Sequence, residues 1–175
     1  MNRIVFLLLA CWMVACRAPD SKKERVTGFI ADSAMVVCAH PLAAKIGVDI
    51  LKKGGNAIDA SIAVQFALTV AFPAAGNIGG GGFMLVRTKE GAVSFLDFRE
   101  KAPSRATARM YLNENGDVIK NLSISGHLAS GIPGSVEGMV EAHRKFGTLP
   151  WKDLVQPAIE LALNGVALTK REAEI

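Results

Sequence analysis

The chain has 175 residues, half of them hydrophobic, and aromatic residues make up only 6% of the total. This length suits one domain, or part of a larger one, whose core of small and branched side chains buries roughly two thirds of the unfolded surface. The net charge is +4, but the basic residues are scattered and form no stripe, so the composition excludes a nucleic-acid-binding protein.

The first sixteen residues have the pattern of an export signal. Arg3 precedes an apolar run over 4–15, which is too short to cross a bilayer and has the length of a signal-peptide core. The run ends in MVAC at 13–16, which resembles the bacterial lipobox, where the cysteine is lipidated and becomes the new amino terminus. We predict a lipoprotein-type signal peptide over 1–16, lipidation at Cys16, and export to the periplasm or cell envelope with a lipid anchor in a membrane. The alternative is a buried helix in which Cys11 and Cys16 are incidental.

Residues 17–34 are predicted to form a solvated tether, because the stretch 17–25 is polar and rich in charge. The globular part is then 35–175, and it begins with a strand-like apolar run at 35–39. Within that run Cys38 has no partner for an intramolecular disulfide once the signal is removed, so we expect a small buried thiol.

Two helices follow in the sequence pattern. The first begins at Pro41, a residue that suits the first helical turn, and ends near Lys53 before Gly54. The second runs from about residue 57 to 70 and is apolar on nearly every side, which predicts a helix buried on most faces. Pro73 marks its end.

A glycine-rich stretch at 76–82 leads into a predicted β-hairpin, with strands at 83–87 and 93–98 around a turn at 89–91. Residues 111–130 have no strong period and are expected to be mostly loop. A helix follows from 131–134 through Phe146. Another begins at 150–151, ends at 164–165, and is expected to turn six residues inward: Leu154, Val155, Ala158, Ile159, Leu161 and Ala162.

The last residues carry the form of a helix start, because Thr169 and Glu172 have capping-box spacing. About six residues cannot sustain an isolated helix, since nucleation costs more than so few hydrogen bonds return. We therefore expect the natural protein to continue beyond Ile175. A frayed polar tail is the alternative.

Few side chains in this chain suggest chemistry. The glycine stretch precedes a strand and lacks the Lys-Ser/Thr ending of a phosphate loop, so a close backbone crossing is the better interpretation. Ser135 lacks the flanking glycines of a nucleophile elbow. The histidines are too dispersed to nominate a base or a metal site, and no metal or other cofactor is predicted: His40, His127 and His143.

Arg99 is the remaining candidate, at the end of the second hairpin strand. Its guanidinium is a planar fork that matches a carboxylate, and Asp97 or Glu100 could hold it in place. On the residues alone, an ordinary surface ion pair is the better explanation of Arg99.

Five motifs taken together resemble the γ-glutamyltransferase family in order and spacing, over residues 35–163: GGNAIDA at 54–60, GNIGGGGFM at 76–84, DFREKAP at 97–103, SGIPGSV at 130–136 and QPA at 156–158. The resemblance implies an α/β (α+β) fold of the N-terminal-nucleophile hydrolase type, an αββα sandwich that is incomplete in this chain. It also implies a precursor that cuts itself into a large and a small subunit, with this chain at the start of the large one.

The resemblance further implies that Arg99 binds the α-carboxylate of a γ-glutamyl donor such as glutathione. The family's nucleophile is a threonine at the amino terminus of the small subunit, and no threonine here matches it. The chain therefore has no catalytic residue of its own and should be inactive without that small subunit. Two alternatives stay open: a related acylase that acts on another amide, and a lipid-anchored binding or remnant protein without catalysis.

Overall fold

The computed structural model describes residues 28–174. The chain divides into two units, Met1–Asp32 and Ser33–Ile175, and the described part of the first, residues 28–32, forms no helix or strand. The predicted signal peptide, Cys16 and most of the predicted tether lie outside the described residues. The second unit is of the α+β class, with five α-helices, one short 3-10 helix and one two-stranded antiparallel sheet among its described residues.

Helices α1 (Pro41–Lys52) and α2 (Ala57–Ala71) begin and end close to the predicted residues. His40 caps α1, because its Nδ1 accepts a hydrogen bond from the Leu42 N–H at 3.2 Å, and the chain leaves the helix through Gly54 at φ +92°. In α2 only Ala57 and Ser61 are exposed, which confirms that this helix is buried on most faces.

Strands β1 (Phe83–Arg87) and β2 (Val93–Asp97) form the predicted hairpin, with Leu85 opposite Phe95. Strand β2 ends one residue earlier than expected, although the Phe98 N–H still donates to the Gly82 carbonyl at 3.0 Å. One face packs Val86 and Leu96 into the core. The opposite face leaves four large apolar side chains exposed, and two of them stack on each other: Phe83, Leu85, Val93 and Phe95.

The predicted strand at 35–39 is wrong. This segment is extended, but it pairs with no strand among the described residues. Val36 and Cys38 instead pack against a small apolar cluster made by Ala43, Val64 and Ala67. The apolar run reflects burial against α1 and α2, because side-chain packing does not require a hydrogen-bonded neighbour strand.

Helix α3 (Ser135–Phe146) follows the loop-rich segment as predicted, and a short 3-10 helix at His127–Ala129 interrupts that segment. Helix α4 (Trp151–Asn164) is buried only at Leu154 and Ala158, one turn apart. The set of residues predicted to face inward was too large, because Ile159 and Ala162 are exposed. Helix α5 (Lys170–Ala173) begins with the predicted capping box at Thr169.

The core lies where the helices meet the inner face of the hairpin. Its largest fully buried apolar side chains are Ile50, Ile62, Met139 and Leu154, one from each of the helices α1 to α4. Phe66 and Trp151 meet edge to face with ring centroids 5.7 Å apart. Within residues 28–174 no helix is long and apolar enough to span a bilayer.

A buried carboxylate joins α2 to the connection between α3 and α4. Asp59 is fully buried, and its side chain accepts hydrogen bonds from the Asn56 N–H at 2.9 Å, the Thr148 N–H at 3.1 Å and the Thr148 hydroxyl. Burial by itself raises the pKa of the Asp59 carboxyl, but these hydrogen bonds outweigh burial and hold the pKa below its usual value. Asn56 adds a second bond across the same junction, from Nδ2 to the Phe146 carbonyl at 2.6 Å.

We predict that Asp59→Asn lowers the free energy of unfolding by about 2 to 3 kcal/mol, because the charge is lost and an amide donor can face the donors of Thr148. Urea unfolding monitored by circular dichroism measures this change. The contribution of Asp59 is present above the unfolded carboxyl pKa of about 3.9 and is lost as the pH falls through the lower folded value. The variant should therefore lose stability less steeply in acid than the parent does.

Asp49→Asn is the matched control, because Asp49 makes an exposed pair with Lys45 at 2.6 Å. Surface pairs contribute little, so this change should cost under about 1 kcal/mol. Equal losses in the two variants would contradict the role assigned to Asp59.

Candidate functional site

A cavity of about 480 Å³ lies beside the end of β2. One wall consists of the end of β2 and the segment that follows it, residues 95–99 and 101. The other wall consists of the loop 132–134 and the first turns of α3, including Glu137 and Glu141. The two walls are joined by a pair of main-chain hydrogen bonds between Lys101 and Ile132, at 3.1 and 2.8 Å. The cavity is thus bounded by chain segments fixed to the core.

Arg99 lines this cavity and is exposed. Its own main-chain N–H donates to the Asp97 Oδ1 at 3.0 Å, and its Cζ lies 5.9 Å from the centroid of the Phe83 ring. No ion pair to Arg99 occurs among the described residues. The expectation that Asp97 or Glu100 holds the guanidinium is therefore wrong: Asp97 fixes the main chain, and the guanidinium lies over an aromatic ring.

Glu141, on the opposite wall of the cavity, already has cationic partners. Glu141 pairs with Arg144 at 2.9 Å and with Lys145 at 3.0 Å. Hydrogen bonds from Arg144 and then Lys145 lower the pKa of the Glu141 carboxyl to about 2. Glu141 therefore stays ionised and is bound to its own helix neighbours, and the charge of Arg99 has no carboxylate partner within the described chain.

The glycine stretch meets the site through its main chain. The Gly80 carbonyl accepts from the N–H groups of Gly134 and Ser135, at 2.8 and 3.0 Å. Gly81 packs directly on Arg99, where an alanine Cβ would lie 2.7 Å from the Arg99 Cα. This confirms the interpretation of the stretch as a close backbone crossing. Ser135 is buried as the first residue of α3 and serves that crossing.

The other sequence candidates lie in structural roles. The His143 Nε2 lies 2.7 Å from the Leu149 carbonyl, and the ring meets Trp151 edge to face. Cys38 is half-buried, and its thiol donates to the His40 carbonyl at 3.3 Å. Within the part of the chain that the structure describes, no three His, Cys, Asp or Glu side chains are grouped as a metal site.

Sequence reasoning missed one residue that shapes the site. Gly138 lies inside α3, and an alanine Cβ there would lie 2.1 Å from the Phe98 Cγ. Glycine inside a helix costs about 1 kcal/mol relative to alanine, so its presence in the middle of a helical pattern was a usable signal of a close approach.

Comparison with known proteins gives a consistent result. A model of the Gamma-glutamyltranspeptidase family matches residues 43–175. A glutathione hydrolase proenzyme from Pseudomonas sp. (strain A14) is 53% identical over 145 residues, which are 83% of this chain and 25% of that protein. The crystal structure of Helicobacter pylori gamma-glutamyltranspeptidase superposes with a TM-score of 0.78 at 48% identity, over 84% of this chain and 42% of that one.

A further relative has a different name. The Acylase ACY 1 proenzyme of Pseudomonas sp. (strain SE83) is 43% identical over 141 residues, which are 77% of this chain and 25% of that protein. The chain thus spans about a quarter of the length of the curated relatives that it matches. The family match covers most of the chain, and the fold agrees with a solved member of the same family at high identity. The chain therefore belongs to the gamma-glutamyltranspeptidase family.

Proposed function

We propose that this chain forms the amino-terminal part of the large subunit of a γ-glutamyltransferase, and that Arg99 binds the α-carboxylate of its γ-glutamyl donor. Glutathione is the donor that the names of the relatives indicate. The complete enzyme would also contain a small subunit cut from the same precursor, in keeping with the word proenzyme in those names.

The proposal depends on the environment of the Arg99 guanidinium. It lines the cavity, has no carboxylate partner among the described residues, and extends from a main chain that is fixed on both sides. A guanidinium presents parallel N–H donors that fit the two oxygens of a carboxylate. An amino acid carboxylate is therefore a chemically matched ligand for this position.

In the reaction that family membership implies, the hydroxyl oxygen of an amino-terminal threonine attacks the γ-carbonyl carbon of the donor. The hydroxyl proton passes to a base, for which the threonine's own α-amine is suited, and then to the leaving amine as the amide C–N bond breaks. Water, or the amine of an acceptor amino acid, then attacks the resulting ester and releases the glutamyl group. Arg99 would contribute by holding the donor in place for the first attack.

We also propose that the hairpin belongs to an αββα sandwich. Its inner face packs Val86 and Leu96 against helices, whereas Leu85 and Phe95 on the outer face are 73% and 62% exposed. Two sheets of a sandwich pack face to face at a spacing of about 10 Å, which buries such side chains. The outer face therefore suits a second sheet contributed by the remainder of the precursor.

An acylase with a different amide substrate is the second candidate, because one close relative carries that name. The distinguishing feature is again Arg99. A donor with an α-carboxylate gains charge-assisted hydrogen bonds from this side chain, whereas an acyl group without that carboxylate gains none. The unpaired guanidinium thus favours a glutamyl donor.

For the activity, we predict that Arg99→Ala in the full-length protein lowers kcat/KM for γ-glutamyl-p-nitroanilide about 10- to 100-fold, chiefly through KM, since a hydrogen-bonded charge pair contributes about 1.5 to 3 kcal/mol. Release of p-nitroaniline measures the rate. Arg87→Ala is the matched control, because Arg87 is also exposed on the hairpin but does not line the cavity. An unchanged KM in Arg99→Ala would refute the assignment.

For the membrane anchor, we predict that Cys16→Ser abolishes labelling by a radioactive fatty acid and moves the protein from the membrane to the soluble fraction of the cell envelope. Cys11→Ser is the control, because this cysteine lies within the predicted signal core and should leave labelling intact. Labelling that persists in Cys16→Ser would refute the lipoprotein assignment.

A further inference from the structure

We infer that Gly81, Gly131 and Gly134, here termed the glycine cradle, are positioning residues that determine where the Arg99 guanidinium lies. The inference rests on the proposed function, because it assigns the cradle a role in donor binding through Arg99. The role of the cradle follows from the lack of space around the main chain of residues 98–101.

Gly81 forms one side of the glycine cradle. An alanine Cβ at this position would lie 2.7 Å from the Arg99 Cα, 2.8 Å from the Glu100 nitrogen and 2.8 Å from the Phe98 carbonyl oxygen. All three neighbours are main-chain atoms, which cannot move aside as the tip of a flexible side chain can. Any side chain at Gly81 must therefore displace the backbone that carries Arg99.

Gly131 and Gly134, which precede helix α3, form the other side of the cradle. An alanine Cβ at Gly134 would lie 2.1 Å from the Phe98 carbonyl oxygen and 3.1 Å from the Arg99 carbonyl oxygen. At Gly131 the corresponding contact is milder, 3.1 Å from the Glu100 Cβ. Both sides touch the same short segment, so the main chain of Arg99 is confined between two glycine-containing loops.

Neighbouring contacts prevent this segment from shifting as a unit. The Phe98 ring packs against the core, where Gly138 leaves room for it. The Gly80 carbonyl accepts a hydrogen bond from the Gly134 N–H, which joins the two sides of the cradle. None of the three cradle glycines has a positive φ, so they are required for space and not for an unusual backbone conformation. Alanine at these positions therefore tests the close approach alone.

The guanidinium is the far end of a long side chain, and its location depends on the position of the Cα that carries it. A displacement of the Arg99 main chain therefore moves the guanidinium away from a bound carboxylate. Misplacement of a binding group by about 1 Å can cost on the order of 100-fold in rate. The loss should therefore be confined to donors that present the α-carboxylate.

The experiment compares two donors in the full-length protein: γ-glutamyl-p-nitroanilide and 4-aminobutyryl-p-nitroanilide, which has the same γ-amide but lacks the α-carboxylate. The ratio of their kcat/KM values measures carboxylate recognition. We expect Gly81→Ala to lower this ratio about tenfold and Arg99→Ala to lower it about 10- to 100-fold. With Arg99 already replaced, Gly81→Ala should change the ratio less than about twofold, because coupled residues are not additive.

Gly79→Ala is the matched control. Gly79 belongs to the same glycine stretch, has no positive φ, and would place its Cβ in open space, so the ratio should remain as in the parent. If Gly81→Ala leaves the ratio unchanged while Arg99→Ala lowers it, the positioning role is refuted and the proposed function stands. If Arg99→Ala also leaves the ratio unchanged, both are refuted.

Thermal unfolding shows whether each variant is folded. Should Gly81→Ala yield no folded protein, Gly131→Ala provides the test, because its added Cβ has no contact shorter than 3.1 Å, the distance to the Glu100 Cβ. This smaller displacement should lower the ratio about threefold, which is less than the loss of about 100-fold that a misplacement of about 1 Å can cause. A folded Gly131→Ala protein with the parent ratio would refute the inference.

Discussion

The main chain at 98–100 lies between two loops with no room for a β-carbon on either side, and much of the site follows from this contact. A β-carbon at Gly81 would lie 2.8 Å from the Phe98 carbonyl oxygen, and one at Gly134 would lie 2.1 Å from the same atom. The contact fixes the end of β2 relative to the start of α3, and it fixes the cavity between them. This spatial constraint therefore fixes the point on the main chain from which the Arg99 side chain extends.

Helix α3 carries this constraint into the core because it is held at both ends. At its start, the Gly80 carbonyl accepts from the Ser135 N–H at 3.0 Å. At its end, Asn56 donates to the Phe146 carbonyl at 2.6 Å, and Asp59 accepts from Thr148. The helix that borders the cavity is therefore joined by hydrogen bonds to the glycine stretch at one end and to the buried carboxylate's junction at the other.

The sequence predicted what depends on local pattern. Hydrophobic period, capping residues and turn residues located the hairpin and the helices. Gly138 inside α3 was missed, although a glycine within a helical pattern can signal close packing. The strand expected at 35–39 was wrong because strand pairing depends on a distant partner, which an apolar run does not reveal. The sequence also could not show that the Asp97 side chain contacts the main chain of Arg99. The spacing brings the two residues close together but does not show which of their atoms meet. Arg99 itself was selected by a resemblance of motifs, and its unpaired charge could be seen only once the neighbouring residues were placed.

The most direct test is a crystal structure of the mature full-length enzyme with glutamate bound. We expect the Arg99 guanidinium to form two hydrogen bonds of about 2.7 to 2.9 Å with the α-carboxylate oxygens. The main chain of Arg99 should remain packed against Gly81. A complex in which other residues hold the α-carboxylate, and Arg99 is directed toward solvent or toward a protein carboxylate, would contradict it.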